Sequence, residues 1–272
     1  MAITYLTRHP IAESNRRCWT WSCWVKNYTE RGSGHLLYTT QGSSPYLQVG
    51  RFLAHDTPAT SGKFSGGRMG IVRNEGGGTV DTTSSKYYRD FGAWYHVLIQ
   101  WDTTRDTQSD RHHLWINGVR QPYTGTSVSQ HYEGAINRDV KHTIGAVLAG
   151  NPLVPVGAFQ GQMCDVFFID GQYLDPDSFG YYKTDTSYSS QGLGGDTEEF
   201  KPGQWYPKSP SLIKSCIEES GGFGTNGYYL PMNSSNNYGA DFHCEPNTIL
   251  KVKENLPQPK AEIEGNGSYV DA

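Results

Sequence analysis

The chain has 272 residues, the length of one large domain, as for many β-sandwiches, or of two small ones, and enough to bury a core without disulfides or metals. Its 23 basic and 27 acidic residues leave a formal charge of −4, which argues against non-specific nucleic-acid binding, since that needs a basic surface to displace counterions from phosphate. With 32 glycines, 14 prolines, 13% aromatics and no long apolar run, the composition suits short strands and many turns and excludes a spanning helix.

Residues 1–18 hold Arg8, His9, Glu13, Arg16 and Arg17 and no apolar h-region, so the expectation is synthesis in a cytoplasm without a secretion signal. Residues 19–26 alternate. Trp19, Trp21, Cys23 and Val25 fall on one face of a strand, and Trp24 on the other, so that side is expected to be partly covered as well. Residues 35–40, 46–53 and 68–73 follow as short strands, with a polar loop at 56–67 and a turn at 74–78. Residues 94–101 set Tyr95, Val97, Ile99 and Trp101 against Trp94, His96, Leu98 and Gln100. After the polar loop 102–110 come a strand at 112–116 and the pair Asn117-Gly118, which suits the type I′ turn of a hairpin. Residues 119–123 are read as the third strand of that meander. Further strands are predicted at 142–148, 159–169 and 227–232. In 159–169, strict alternation puts Cys164, Val166 and Phe168 on one face and Met163, Asp165, Phe167 and Ile169 on the other. The one helix signal is brief: Asp175 as cap, Pro176 at the first helical position, then residues 178–182. The rest, up to residue 227, reads as loops.

Ten or so short strands and at most one short helix give an all-β fold: two packed antiparallel sheets, a jelly-roll sandwich over residues 1–245. From 246 to 272 the aromatics vanish except Tyr269, and Pro257 and Pro259 appear, so this part reads as an extended C-terminal arm. The five cysteines (Cys18, Cys23, Cys164, Cys216, Cys244) are odd in number on a long chain and are expected as free thiols.

The runs WTWSCWVK, WYHVLIQWDTT, LWINGVRQP and FQGQMCDVFFIDGQYLDPDSFGYY resemble, in order and spacing, laminin-G-like (concanavalin A-like) jelly-roll domains. The closing GGFGTNGYYLPM resembles the last segment of such domains in virion proteins of marine and cyanobacterial bacteriophages. The resemblance implies a two-sheet sandwich whose first and last strands lie close together. It also implies a virion structural protein, a capsid decoration or a tail or fibre component. Such a protein would be made in the host cytoplasm and carried on the virion surface. Its partners would be other virion proteins, copies of itself and host-surface glycans.

Each candidate chemistry has a plainer alternative. A retaining glycosidase on this fold needs two carboxylates about 5–5.5 Å apart. The sequence offers only Asp165 and Asp170 near one strand and the adjacent pairs Glu198-Glu199 and Glu218-Glu219 in loop-like stretches, so an enzyme is not expected. Calcium could use Asp102, Asp106 and Asp110 of one loop, although the spacing matches no calcium loop and a solvated connection is the simpler reading. Zinc finds no pairing, because His112 and His113 point apart on a strand and Cys18 and Cys23 are five residues apart. No Gly-x-Ser-x-Gly motif marks a nucleophile. Glycan binding remains, through tyrosines near loops: Tyr123, Tyr132, Tyr181, Tyr182 and Tyr188. The arm, with Pro257, Pro259 and Tyr269, is the expected partner-binding segment.

Overall fold

The computed structural model describes residues 4–10, 12–28, 34–40, 47–53, 68–74, 79–84, 86–124, 128–149, 154–156, 158–182, 203–232, 251–254, 262–264 and 268–270. In chain order the strands begin with β1 (Thr4–Arg8), β2 (Cys18–Asn27), β3 (Gly34–Thr40), β4 (Leu47–Leu53), β5 (Arg68–Asn74), β6 (Thr79–Ser84) and β7 (Tyr95–Asp102). There follow β8 (His112–Ile116), β9 (Val119–Arg120), β10 (Tyr123–Thr124), β11 (Lys141–Ile144), β12 (Val147–Ala149), β13 (Val154–Val156) and β14 (Gly161–Asp170). The chain continues through β15 (Gly180–Tyr182), β16 (Trp205–Pro207), the helix α1 (Pro210–Glu219), β17 (Tyr228–Leu230), β18 (Lys251–Glu254), β19 (Glu262–Glu264) and β20 (Ser268–Val270).

Two antiparallel sheets form the body, as the alternation predicts. The larger runs β10-β6-β5-β4-β3-β11-β1-β18 and the smaller β17-β14-β2-β7-β8-β9. Their facing sides share one core: Trp19, Trp21, Cys23, Val25, Val97, Ile99 and Trp101 from the smaller sheet meet Leu6, Leu36, Leu37, Met69, Ile71 and Ile144 from the larger. Trp19 stacks on Trp101 with centroids 5.5 Å apart and planes 10° off parallel. Burying each indole is worth about 4–6 kcal/mol of transfer free energy at most. The N–H groups of Trp19, Trp21 and Trp101 find no acceptor among the described residues. That costs roughly 1–3 kcal/mol apiece, so the aromatic burial still wins.

Trp24 and its face are covered, as expected. Leu98, Phe167, Ile169, Leu174, Phe179, Ile213, Ile217, Phe223 and Tyr229 form a second apolar cluster on the outer side of the smaller sheet. The cover is where the sequence reading needs correction. The predicted turn of helix after Asp175 is a three-residue 3-10 turn, Pro176–Ser178, and the Asp175 carboxylate does not cap it but accepts the Gln100 side-chain amide at 3.0 Å. The helix lies further on, at Pro210–Glu219, in a stretch read as loop. Ser209 caps it by accepting the Leu212 amide, and Ile213 and Ile217, one turn apart, are its buried face.

Three further differences have local causes. Strand β6 was not anticipated; its Thr- and Ser-rich run pairs with β5. The predicted strand 119–123 splits: Val119 and Arg120 stay on β8, while Tyr123 and Thr124 cross to pair with β6 in the other sheet. In β14 a bulge between Cys164 and Phe167, with Asp165 at φ +48°, resets the alternation. Met163 therefore pairs with core-facing Val25, and Cys164 pairs with outward Trp24, the reverse of the predicted faces. Four described cysteines, Cys18, Cys23, Cys164 and Cys216, are free thiols. Burial, with Asp102 next in effect, pushes Cys18 up to about 12; burial beside Asp165 does the same to Cys164, which keeps both thiols protonated and inert.

The first and last strands of the sandwich meet through Arg8. Its guanidinium donates to the Asn226 carbonyl and lies 5.1 Å from the centroid of the Tyr228 ring. Part of the arm also joins the body, since Lys251–Glu254 pairs antiparallel with β1, Val252 opposite Leu6. Beyond it β19 and β20 form a small hairpin, Ile263 opposite Tyr269. Pro257 and Pro259 lie outside the described residues.

Candidate carbohydrate-binding face

The site is built on the outer face of the smaller sheet. Ser22 on β2 and His96 on β7 are diagonal neighbours across the two strands and are buried, with Ser22 Oγ 2.8 Å from His96 Nε2. Above them lies Trp205, whose Nε1–H donates to His96 Nδ1 at 3.2 Å, with the rings 5.9 Å apart and 20° from parallel. Because Nδ1 accepts, the neutral imidazole carries its proton on Nε2 and donates to Ser22 Oγ. A base for Ser22 would need the opposite tautomer, so this pair is a fastening, not a nucleophile in waiting. Desolvation by burial holds His96 down to about 3, which keeps the ring neutral and the bond pattern fixed.

Trp205 clamps the two-stranded ribbon β15–β16 to the sheet. Cross-strand partners share a face. Trp205 pairs with Tyr182, and both turn toward the sheet: the rings meet edge-on at 4.9 Å and the Tyr182 hydroxyl donates to the Asn117 carbonyl. Tyr181 pairs with Tyr206 on the opposite, outward side, their centroids 6.0 Å apart and their planes 30° from parallel. Both rings are half-buried, so a tilted pair of rings is partly open on one side of the ribbon. The ribbon can lie this close because Gly118 and Gly180 leave room for the Trp205 indole on either side.

Of the tyrosines expected from the sequence, Tyr181 and Tyr182 are thus brought together, while the partners that organise them, Trp205 and Tyr206, were missed. No signal marked those two beyond their aromatic character in a stretch read as loop. Tyr132 is elsewhere, half-buried against the core with its ring 6.3 Å from Trp101. Tyr123 enters the larger sheet through its backbone, and Tyr188 lies outside the described residues.

The three aspartates of the 102–110 loop are occupied separately. Asp102 accepts the Thr104 amide and hydroxyl and pairs with Arg105 at 3.2 Å. Asp106 takes the Gln130 side-chain amide at 2.9 Å, and Asp110 takes the Ser109 hydroxyl. Arg111 threads beneath them, donating to the carbonyls of Arg105, Asp106 and Val128. Among the described residues no group of three or more His, Cys, Asp and Glu side chains could hold a metal ion. The two strand-borne carboxylates are also committed. Asp165 accepts the Tyr229 hydroxyl at 2.7 Å, and Asp170 accepts Asn137 Nδ2 at 2.7 Å and the Asn226 amide at 3.1 Å. Burial raises the pKa of both.

The class these features define is an all-β sandwich of two antiparallel sheets with an aromatic cover on one of them. No protein-family model matches the chain, and no curated protein sequence does. Among solved structures it is similar to domains LG4-5 of the mouse laminin alpha1 chain, at TM-score 0.42 and 16% identity, over 64% of this chain and 41% of that one. It is similar to the CBM40 domain of the Ruminococcus gnavus IT-sialidase bound to alpha2,3 sialyllactose, at 0.40 and 13%, over 65% and 92%. It is also similar to tailspike protein 2 of Escherichia coli O157:H7 bacteriophage CAB120, at 0.36 and 11%, over 64% and 22%. The chain therefore spans less than two thirds of the length of the laminin and tailspike structures it matches. No helix among the described residues is long and apolar enough to cross a membrane.

Proposed function

We propose that the protein is a non-catalytic virion surface component whose sandwich works by contact, holding host glycan on the Tyr181–Tyr206 platform and neighbouring subunits through its C-terminal segment. The observation that carries the glycan half is the platform itself: two outward tyrosines on a ribbon that is fixed from beneath by the Trp205–His96–Ser22 stack. Paired aromatic rings match the apolar face of a pyranose. The virion half is supported by the resemblance of the closing sequence motifs, and the non-catalytic reading by a buried, neutral His96 that fastens Ser22 rather than activating it.

The test is a glycan array with the full chain and with Tyr181→Ala/Tyr206→Ala. Binding that falls at least tenfold in the double variant, with an unchanged near-ultraviolet circular-dichroism spectrum, supports the reading. No binding at millimolar sugar, or undiminished binding by the variant, refutes the glycan half. Immunogold labelling of particles with an antibody to the chain tests the virion half, and unlabelled particles refute it.

A further inference from the structure

The cover stops short of one end of the smaller sheet. Cys23 and Val25 point into the core, so Trp24 and Lys26 take the outward positions of β2. The Tyr28 amide donates to the Gln160 carbonyl at 2.9 Å and carries the alternation one pair past the strand. Val25 pairs with Tyr95, and Tyr95 packs against the core, so Trp94 turns outward beside Lys26. Gln162 stands opposite Lys26 on the other flank. Trp94 is 38% and Tyr28 53% exposed, while Trp24 and Lys26 are half-buried. The ribbon bounds this area at the Trp24 end, where the Trp24 ring lies 5.2 Å from His96 and Trp205 is stacked on that histidine.

Lys26 thus stands among three rings. Between backbone positions it is about 7 Å along its own strand from Trp24 and from Tyr28, and about 5 Å across from Trp94. Among the described residues the Lys26 ammonium, the Gln162 amide and the Trp94 indole make no hydrogen bond, ion pair or ring contact. Two acids on this side are already engaged: Asp165, in the bulge of β14, accepts the Tyr229 hydroxyl, and Asp90, in the turn before Trp94, accepts the Gly92 amide.

The surroundings of β2 say what kind of ligand fits. β2 is paired on both sides, to β14 and β7, so no free edge is offered to an added peptide strand. Recognition has to use side chains, and open rings on a sheet face suit the C–H face of sugar rings. An ammonium with three uncommitted donors among those rings selects an anionic sugar over a neutral one. The whole chain carries a formal charge of −4, so this preference is local and not a general attraction for acids.

We propose that this end of the outer face is a second glycan site and that it takes an anionic glycan, carboxylated or sulfated, with sugar rings on Trp94 and Tyr28 and the acid group on Lys26. The inference goes beyond the Tyr181–Tyr206 reading, since none of these residues belongs to the ribbon.

The test is isothermal titration calorimetry of the full chain with two acidic probes, tetragalacturonate and sulfated isomaltotetraose, each beside its uncharged counterpart, the methyl ester and the unsulfated sugar. At least one acidic probe should bind tenfold or more tighter than its counterpart, and which one does so identifies the acid group. Trp94→Ala should weaken that binding at least tenfold. Lys26→Gln should weaken it at least fivefold and leave the uncharged counterpart unaffected, which a merely structural role for Lys26 would not do. Tyr181→Ala/Tyr206→Ala should leave it within about threefold. Near-ultraviolet circular dichroism checks each fold, and Tyr28→Ala serves should the Trp94 variant fail to fold. No binding of either acidic probe at millimolar concentration, equal binding of acid and counterpart, or a Lys26→Gln variant without effect overturns the proposal. So does a tetraglutamate peptide that binds as tightly as the sugars and is lost in the same variants, which would make this a site for acidic protein segments. Failure of the acidic probes with platform-dependent array binding intact sinks this inference alone. Acidic-probe binding that depends on Trp94 and Lys26, with array binding indifferent to Tyr181→Ala/Tyr206→Ala, sinks the platform and leaves this site standing.

Discussion

Replacing Gly180 by alanine tests whether Trp205 holds the tyrosine platform in place. A β-carbon there would stand 2.5 Å from Cζ2 and 2.6 Å from Nε1 of the Trp205 indole. Non-bonded carbons prefer about 3.5–4.0 Å, so the ring must retreat by about 1 Å. It has little room to do so, because a β-carbon at Gly118 would stand only 2.5 Å from the indole's Cε3, so the backbone there already lies against the ring. The Trp205–His96 hydrogen bond, at 3.2 Å, does not survive such a shift. Overpacking costs about 1–3 kcal/mol, and a buried N–H and ring nitrogen left unpaired add about 1 kcal/mol or more. We expect a loss of about 2–4 kcal/mol, which for a chain of this size lowers Tm by roughly 5–15 °C. Thermal unfolding followed by near-ultraviolet circular dichroism measures it. In a Trp205→Leu background the clash has no ring to meet, and the same alanine should cost under about 1 kcal/mol. An unchanged Tm for Gly180→Ala, or an equal cost in the leucine background, would refute the claim that the glycine exists to admit the indole.

Acid should destabilise the fold before its carboxylates matter. Burial holds His96 and His142 at about 3, against 6.5 in an unfolded chain. Between those values the unfolded chain takes up protons that the folded one refuses, so stability falls as pH drops through that window, by up to about 1.4 kcal/mol per pH unit for each histidine. Asp165 and Asp170, whose pKa values are raised, act with the opposite sign nearer their own titration and flatten the curve there. Urea unfolding at pH 7.5 and pH 5 should show the slope, to which His113, also held down by burial, adds, and His96→Gln should make it shallower; an unaltered slope in that variant would contradict the assignment. At the bulge, Asp165→Asn should be neutral or slightly stabilising near pH 7, because asparagine tolerates positive φ and still accepts the Tyr229 hydroxyl. Asp165→Ala should cost about 1–3 kcal/mol through the unpaired hydroxyl and the strained backbone. Equal stability of the two variants would count against both causes.

What the sequence revealed was the part of the fold governed by period two. The alternation through Trp19, Trp21, Cys23 and Val25, and through Tyr95, Val97, Ile99 and Trp101, located the two central strands of the smaller sheet and their inward faces. It could not see the bulge at Asp165, because one extra residue leaves the composition of the strand unchanged while reversing the sides of Met163 and Cys164. The helix at Pro210–Glu219 was missed although Ser209 and Pro210 form a proper start, since only Ile213 and Ile217 are buried on it and two apolar positions make a faint stripe. The platform was half legible. Tyr181 and Tyr182 were noticed as aromatics near a turn, but their opposite orientations depend on pairing with Tyr206 and Trp205, more than twenty residues away, and that pairing leaves no local trace.

The cover layer limits what the smaller sheet can touch. A sandwich in which one sheet faced water would offer a broad face of alternating side chains to a ligand. Here the outer side of the smaller sheet is closed by α1, Phe179 and the β15–β16 ribbon over the second apolar cluster. Over that part of the sheet, contacts must then be made by whatever the cover itself turns outward. The ribbon turns out Tyr181 and Tyr206. It is built from short elements whose own burial is modest, so it can vary in sequence while the core beneath stays fixed. A binding specificity placed there can change without disturbing the Trp19–Trp101 stack that holds the two sheets together. Exchanging Tyr181 and Tyr206 for other residues should accordingly alter what is bound and leave Tm within about 2 °C, whereas any substitution beneath Trp205 should change both.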